Sequence, residues 1–583
     1  MSMKKLPIGK SDFKEVIENN YRYVDKSLFI KDIIDKSDSI LLIPRPRRFG
    51  KTLNLSMLKY FYDCCPGILT PGTAPLPGEN EKNEPVPPAN SYGKLFEPLA
   101  IKKAGQLYLD KMNKYPVIFL SFRTIKELDW ESTFRKITRL IQDEYSRHYY
   151  LLNSQVLLPH EKDYFQKILD LNAHREDYEN SLEKLLIFLN RYYRERVVIL
   201  IDEYDAPVHA GFTYHYYEEV INFLRNFLAG GLKDTDQYLE KSIITGIMRI
   251  ARESIFSGLN NLGVFTLLAE EFDDKFGFTE EEVKELLADY QAADRYDQVQ
   301  KWYNGYRFGK EIIYNPWSIV NFLGSEAREC KPYWINTSDN RIVDTLLSRG
   351  GKELKEELEL LIRGETIEKA VEENIILKDV STREHLLWSF LLMGGYLKQT
   401  DKKIDDTTGK VYYSLSVPNL EVRTVYLGII EHFFADKIEN RKLETMLKSL
   451  LEGDIDVFEE IFADYVMKAM SFFDLGEEPE KVYHAFVMGL LLWLSPAYRI
   501  NSNRESGYGR YDIMIIPEDT SKLGFIIEFK MVRKNETAEK AVESALKQMT
   551  ERKYETSLLE SGVTKYKKLA IVFKGKDVTI REG

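Results

Sequence analysis

Two short apolar runs far apart in the chain, Ser39–Pro44 (SILLIP) and Val197–Ile201 (VVILI), constrain the fold more than any other feature of the sequence. A strand that is apolar on both sides of its pleat has no face to give to water. It must therefore lie in a sheet covered on both faces, the condition of a parallel sheet between helices. After Pro44 come a basic, glycine-containing turn and an amphipathic stretch, Leu53–Tyr62, which is the order strand, loop, helix. Pro116–Phe122 (PVIFLSF), Lys241–Gly246 (KSIITG) and Val264–Leu268 (VFTLL) supply further strands, and Asp129–His148 and Asp177–Glu195 read as helices between them. The expected fold of residues 1–275 is a doubly wound, parallel α/β sheet.

A chain of 583 residues exceeds what one core usually organises, so further domains are expected. Residues 64–91 are dense in Pro, Gly, Asn and Glu, which hold neither a helix nor a central strand, and are read as a surface insertion. From Thr279 the apolar spacing becomes helical, through EEEVKELLADY, NPWSIVNFL, GKELKEELELLI and REHLLWSFLLMGGYL, which defines a mainly helical middle region, 276–475. Its aromatic-rich Trp302–Phe308 and Tyr333–Ser338 read as core and turn packing. A polar break at Gly476–Pro479 opens a compact α/β unit, 476–583. There a helix, Glu480–Leu494, precedes strands Tyr511–Ile516 and Gly524–Phe529, a helix Ala538–Tyr554 and a strand Lys568–Phe573.

Three cysteines, two of them adjacent at Cys64 and Cys65, give no disulfide framework and favour a reducing compartment. No apolar stretch approaches the roughly 18 residues of a membrane span, and no apolar segment follows the N-terminal lysines, so a cytoplasmic protein without membrane contact is expected. A net charge of -11 argues against indiscriminate coating of nucleic acid. A local basic groove can still be drawn from Arg499, Arg504, Arg510, Lys530, Arg533, Lys534, Lys565, Lys567 and Lys568; the plainer reading of these is a solvated face.

Cradling nucleotide phosphates requires open backbone N–H groups, a lysine that reaches the β/γ oxygens and a hydroxyl for Mg²⁺ at a helix start. Arg45-Pro46-Arg47-Arg48-Phe49-Gly50-Lys51-Thr52 supplies these in the pattern GxxxxGK[ST], with Arg45 where the first glycine is expected. Asp202, at the end of the second apolar run, is placed to hold Mg²⁺ with Thr52, and Glu203 to orient and activate the attacking water. Two carboxylates at the end of a buried strand are costly unless something pairs them. Thr245 is placed to sense a γ-phosphate, and Arg249 or Arg252 to stabilise charge in cis or in trans; the alternative for either arginine is a surface ion pair. Action in trans would require a homo-oligomer. ATP and Mg²⁺ are the cofactors expected.

In the C-terminal unit Asp512 opens one strand, and Glu528 and Lys530 lie two apart on the next, so the period of two sends both to one face. Two carboxylates for Mg²⁺ and a cation beside the scissile phosphate are what metal-assisted phosphodiester cleavage needs. Glu480 is a candidate additional acid and His484 a packed or surface histidine. The competing reading of Glu528-Phe529-Lys530 is an edge-strand ion pair.

Leu6-Pro7-Ile8-Gly9 with Asp12-Phe13, Tyr23-Val24-Asp25-Lys26, Arg45–Thr52, Asp202–Pro207, Phe256–Asn261 and Trp302–Tyr306 together resemble the bacterial AAA-ATPase-like proteins that carry a PD-(D/E)XK-type nuclease domain at the C-terminus. The likeness spans nearly the whole chain. It implies that an arginine-rich P-loop is normal here, that Asp512, Glu528 and Lys530 form the D…ExK signature, and that Gln548 and Tyr554 take auxiliary positions. The function it implies is ATP binding and hydrolysis coupled to a Mg²⁺-dependent domain that cleaves DNA or RNA. The alternative is a nucleotide-driven switch whose C-terminal domain binds nucleic acid or a protein without cutting.

Overall fold

In the computed structural model, β1 (Ile40–Pro44) and β3 (Val197–Asp202) are buried at every position, as their lack of a polar face requires. With β2 (Val117–Ser121), β4 (Leu239–Gly246) and β5 (Leu262–Val264) they form a five-stranded sheet in the order β2-β3-β4-β1-β5. Every pairing in it is parallel. Because β4 lies between β1 and β3, the strand ends that carry Arg45, Asp202 and Thr245 open on one edge, with Pro44 opposite Gly246. The structure describes residues 3–64, 92–250, 255, 256, 259, 261–334, 343, 352–362, 364–375, 377–380, 383–407, 409–426, 440–469, 487, 490, 491, 494, 497–502, 505, 506, 509–532, 536–575 and 577–583. The expected insertion therefore falls, beyond Cys64, outside the described residues, as do Arg252, Glu480, His484, Arg504, Arg533 and Lys534.

The expected helix 129–148 runs over Trp130–Arg147, with Asp129 as its cap accepting the Ser132 N–H at 2.8 Å. Two other readings are corrected. The expected helix 177–195 is two helices, Arg175–Glu179 and Ser181–Tyr193, with Asn180 capping the end of the first and the start of the second. The fifth strand is Leu262–Val264 rather than 264–268; beyond Phe265 the chain turns, with the Ala269 N–H donating to the Thr266 carbonyl.

The chain packs as two units, one of Met1–Leu346 with Glu368–Val422 and one of Leu347–Ile367 with Arg423–Gly583. The middle region expected over 276–475 is divided between these units, with 276–346 and 368–422 in the first and 347–367 and 423–475 in the second. Helices Glu280–Asp289, Tyr296–Tyr303 and Pro316–Gly324 share a core with Leu6 and Val24 from the N-terminal segment. The described part of this stretch is mainly helical, as expected, with strands among its helices. A ribbon of Tyr306–Phe308 and Glu311–Ile313 and a three-stranded sheet of Ile367–Ala370, Lys398–Ile404 and Val411–Ser416 lie within it. The charged KQTDKKI of the second of these strands hides its strand character, since only Gln399 in it is buried.

In the second unit, strands β6 (Tyr498–Ser502), β7 (Ile513–Pro517), β8 (Gly524–Met531), β9 (Tyr566–Lys574) and β10 (Asp577–Glu582) form a sheet in that order. Only β8 and β9 are parallel, and the helix Ala538–Glu551 connects them. Alternate residues face opposite ways: Ile513, Ile515, Phe525, Ile527 and Phe529 pack with helices Asn440–Glu452 and Ile455–Ala469, while Ala570 and Val572 meet Ala541 and Ala545 of the connecting helix. Val487, Leu490, Leu491 and Leu494, the described part of the expected helix 480–494, enter the first of these cores at helical spacing.

One buried acid braces the first unit. Glu421 is fully buried and accepts hydrogen bonds from the Trp334 backbone N–H and from Ser318 Oγ, both at 2.7 Å. Burial outweighs these donors and pushes its carboxyl up to about 7. The unfolded chain releases this proton in the ordinary glutamate range, so Glu421 stabilises the fold fully below that range and loses that contribution as pH rises to about 7. The loss is on the order of 3 kcal/mol. Replacing it, as Glu421→Gln, removes this slope and raises the melting temperature of the unit at pH 8; equal slopes for the variant and the parent protein in thermal unfolding across pH 4–8 would contradict the assignment.

Candidate active sites

The turn after β1 ends in Gly50, whose φ of 85° caps the helix Lys51–Tyr62. The other left-handed residue of the turn is Arg48, at φ 68°. Arg45 is not among them, so the position where a glycine was expected needs no glycine. Its guanidinium turns away from the loop and is wholly buried. Nη1 donates to the carbonyls of Pro44 (2.8 Å) and Phe265 (2.7 Å), and Nη2 to that of Phe272 (3.2 Å). The rings of Phe276 and Phe308 lie against it, and burial pushes its pKa down to about 9.

Each further loop residue is held from outside the loop. Pro46 abuts the turn at Gly395. The Arg47 carbonyl accepts from Trp334 Nε1 at 3.0 Å, Arg48 lies 4.2 Å over the Trp317 ring, and Phe49 packs on Tyr306 and Phe308. Tyr306, Phe308 and Trp334 of the aromatic-rich segments are therefore core packing under this loop, as expected, while Trp302, Tyr303 and Tyr333 pack in the core of the helices Glu280–Asp289, Tyr296–Tyr303 and Pro316–Gly324, and 335–338 lie outside the described residues.

Asp202 is fully buried and is reached by three hydroxyls: Thr52 Oγ1 at 2.8 Å, Ser121 Oγ at 3.1 Å and Thr245 Oγ1 at 2.9 Å. Lys51, nearly buried, donates to the carbonyls of Arg45 and Pro46, both at 2.9 Å, and burial lowers its pKa against the pull of Glu203, Asp205 and Asp202. Glu203 takes a left-handed φ of 49°, unusual for its type, and burial raises its carboxyl, opposed by Lys51. A cavity of about 390 Å³ opens at this edge, and its lining includes Arg47–Thr52, Glu203, Arg123, Lys126, Pro7, Ile8 and Trp317.

The structure thus brings Arg47, Arg48, Phe49, Gly50, Lys51, Thr52 and Glu203 to one cavity and ties Asp202 and Thr245 to it through Thr52. Arg249 does not join them. Its backbone pairs with Asn374, on a turn that Asp205 and Tyr204 clip: Asp205 Oδ2 accepts the N–H groups of Ile247 (2.7 Å) and Met248 (3.2 Å), and the Tyr204 hydroxyl donates to the Met248 carbonyl (2.9 Å). Ser121 was missed by sequence reasoning; its signal was its place in the strand beside the one ending in Asp202.

In the second unit Ile513 pairs with Ile527, which sets Asp512 beside Glu528, and Asp512 Oδ2 accepts the Phe529 N–H at 2.7 Å. Lys530 Nζ lies 3.4 Å from Glu528 Oε1 and donates to Gln548 Oε1 at 2.8 Å; Gln548 Nε2 donates to Glu528 Oε1 and, at 3.1 Å, to the Tyr554 hydroxyl. Glu528 is 2% exposed, and its Oε2 is buried without a hydrogen-bond partner. Burial, then the nearby Asp512, push its carboxyl up to about 8. An orphaned, buried carboxylate oxygen beside a second carboxylate fits a divalent cation. Among the described residues no cluster of three or more His, Cys, Asp or Glu side chains forms, so water and phosphate oxygens would complete the shell, as is usual for Mg²⁺. Arg499, Lys567 and Lys568 do not make a groove of free cations: they pair with Glu518, Glu582 and Glu555. Among the described residues no helix is long and apolar enough to cross a membrane.

Residues 7–66 and 88–256 match the family described as predicted AAA-ATPase, AAA-ATPase-like, and residues 478–583 match the PD-(D/E)XK nuclease superfamily. The chain carries an AAA-ATPase-like domain and, at its C-terminus, a domain of that nuclease superfamily. It is also similar to the "uncharacterized protein in vnfD 5′ region" of Azotobacter chroococcum mcd 1, 28% identical over 427 residues, which cover 73% of this chain and 69% of the relative.

Arg45→Gly, which restores the common glycine, strips at least three buried carbonyls of their donor and leaves a cavity between Phe276 and Phe308. It is expected to destabilise the first unit by about 3–5 kcal/mol in denaturant unfolding. Unchanged stability would show that the guanidinium is not structural.

Proposed function

We propose that the N-terminal domain binds ATP with Mg²⁺ and hydrolyses it, and that the C-terminal domain cleaves a nucleic-acid phosphodiester in a Mg²⁺-dependent reaction gated by the nucleotide. The observation that carries this reading is that each site holds a lysine and a buried acid: Lys51 opens the helix whose Thr52 donates to buried Asp202 under the cavity, and Lys530 lies 3.4 Å from Glu528, whose other oxygen has no hydrogen-bond partner. Supporting it are the matches to the two families.

Thr52 and Asp202 are the residues to hold a nucleotide-bound Mg²⁺, and Asp512 with Glu528 those to hold one in the second domain. There the ion would neutralise phosphate charge and lower the pKa of a bound water. Lys51 exchanges its two loop carbonyls for phosphate oxygens. Glu203, with its raised proton affinity, suits taking a proton from the attacking water. In the second domain Lys530, steered by Gln548, faces the scissile phosphate.

The test is incubation with Mg²⁺ and ATP on labelled DNA and RNA. Lys51→Ala is expected to lose ATP binding and turnover. Asp512→Ala and Glu528→Ala lose cleavage and keep ATP turnover, and Lys530→Ala lowers cleavage by about 10²-fold. Cleavage that survives Asp512→Ala removes the nuclease assignment. Binding of nucleic acid without any cleavage by the parent protein replaces it with a nucleotide-driven switch.

A further inference from the structure

Hydrolysis of a β–γ phosphoanhydride gathers negative charge on the oxygens of the moving phosphoryl group, and a cation fixed near them lowers the barrier. Of the two candidates from sequence, Arg252 lies outside the described residues, and Arg249 is held on a clipped turn and does not line the cavity. Several cations that do line it are committed elsewhere. Lys26 pairs with Glu282 at 2.6 Å, Arg22 with Asp289 at 2.8 Å, Lys275 with Asp274 at 3.0 Å, and Arg48 rests on Trp317.

The segment after β2 is placed differently. Ser121 is paired in register with Asp202, and the Phe122 N–H donates to the Asp202 carbonyl at 2.9 Å, so this segment leaves the sheet alongside Asp202-Glu203. Phe122 and Ile125 are buried and anchor it through an Ile125 N–H to Phe122 carbonyl turn of 2.9 Å, while Arg123 and Lys126 are exposed to the cavity that Glu203 and the phosphate loop line. Lys126 acts on the Glu203 carboxyl, pulling it down against its burial, and Arg123 is felt by Arg48 in the loop itself. Arg123 donates to Ser11 Oγ at 3.5 Å, the outer limit of a hydrogen bond, and among the described residues it makes no ion pair.

We propose that Arg123, acting in cis, is the arginine that stabilises the transferring phosphoryl group of a bound nucleoside triphosphate. This rests on the ATPase reading given above. The water oxygen forms a bond to the γ-phosphorus, and its proton passes to the Glu203 carboxylate. The bond from the γ-phosphorus to the β–γ bridging oxygen breaks, its electron pair staying with that oxygen on ADP. Arg123 forms no covalent bond and donates N–H groups to the γ-oxygens as their charge grows.

The test is steady-state ATP turnover by the full chain, with binding of ADP and of ADP with aluminium fluoride measured alongside. Arg123→Ala is expected to lower kcat by about 10²–10³-fold while KM for ATP and the affinity for ADP stay within about threefold, and to lose the tighter binding of the fluoride complex. Arg123→Lys recovers part of the rate. Because Arg123 is exposed, both variants keep the parent melting temperature; a variant that melts early is set aside for Arg123→Gln, read in the same way. Mixing Arg123→Ala with Glu203→Gln restores nothing if the arginine acts in cis, and restored turnover overturns the cis assignment. A parent protein that hydrolyses ATP together with an Arg123→Ala rate within a few-fold of it overturns the proposal and leaves the ATPase reading standing. A parent protein that binds ATP without turnover also overturns the proposal, and one that does not bind ATP overturns both.

Discussion

The buried carboxylate of Asp202 is the interaction on which the N-terminal domain depends. It sits at the end of a strand with no polar face, where an unpaired charge would cost several kcal/mol. Three hydroxyls answer it, one from the first turn of the helix after the phosphate loop, one from β2 and one from β4. Hydrogen bonds to a charged group contribute about 1.5–3 kcal/mol each, so this one acid fixes three neighbouring elements at this edge of the sheet. The sheet order makes this reachable, since β4 lies between the strands that carry the loop and the acid. The same contacts present Thr52 and Asp202 together, the pair a phosphate-bound cation would meet.

A second constraint explains the unusual composition of the loop. A glycine-rich loop owes its shape to backbone freedom, whereas this one is shaped by its surroundings: Arg45 in a cage of carbonyls and rings, Pro46 on Gly395, the Arg47 carbonyl on Trp334, Arg48 on Trp317 and Phe49 on Tyr306. Trp334 and Ser318 are tied in turn to Glu421, close to where the first packing unit ends at Val422. Trp334 thus joins the loop to Glu421, its indole N–H on the Arg47 carbonyl and its backbone N–H on the Glu421 carboxyl.

Much of this was legible in the sequence. Apolar runs without a polar face gave the parallel sheet, and the period of two placed Glu528 and Lys530 together. Gln548 and Tyr554, expected through the family resemblance, lie beside them. What stayed hidden shares a physical cause, namely dependence on tertiary partners. The left-handed turn falls on Arg48 rather than Arg45 because the buried cage, not local preference, decides the loop's path. The strand Lys398–Ile404 is charged along most of its length and is held by its pairing with Val411–Ser416. Ser121 carries no motif and matters only because β2 lies beside β3. The division into two packing units is likewise set by which helices share a core, which helical periodicity alone does not reveal.

A crystal structure with a non-hydrolysable ATP analogue and Mg²⁺ decides whether the edge built around Asp202 receives a nucleotide's phosphates. Lys51 Nζ is expected to leave the carbonyls of Arg45 and Pro46 for phosphate oxygens, with the ion against Thr52 Oγ1 on the side of Asp202. An analogue seated elsewhere, or Lys51 still bound to its own loop with the analogue present, would contradict it.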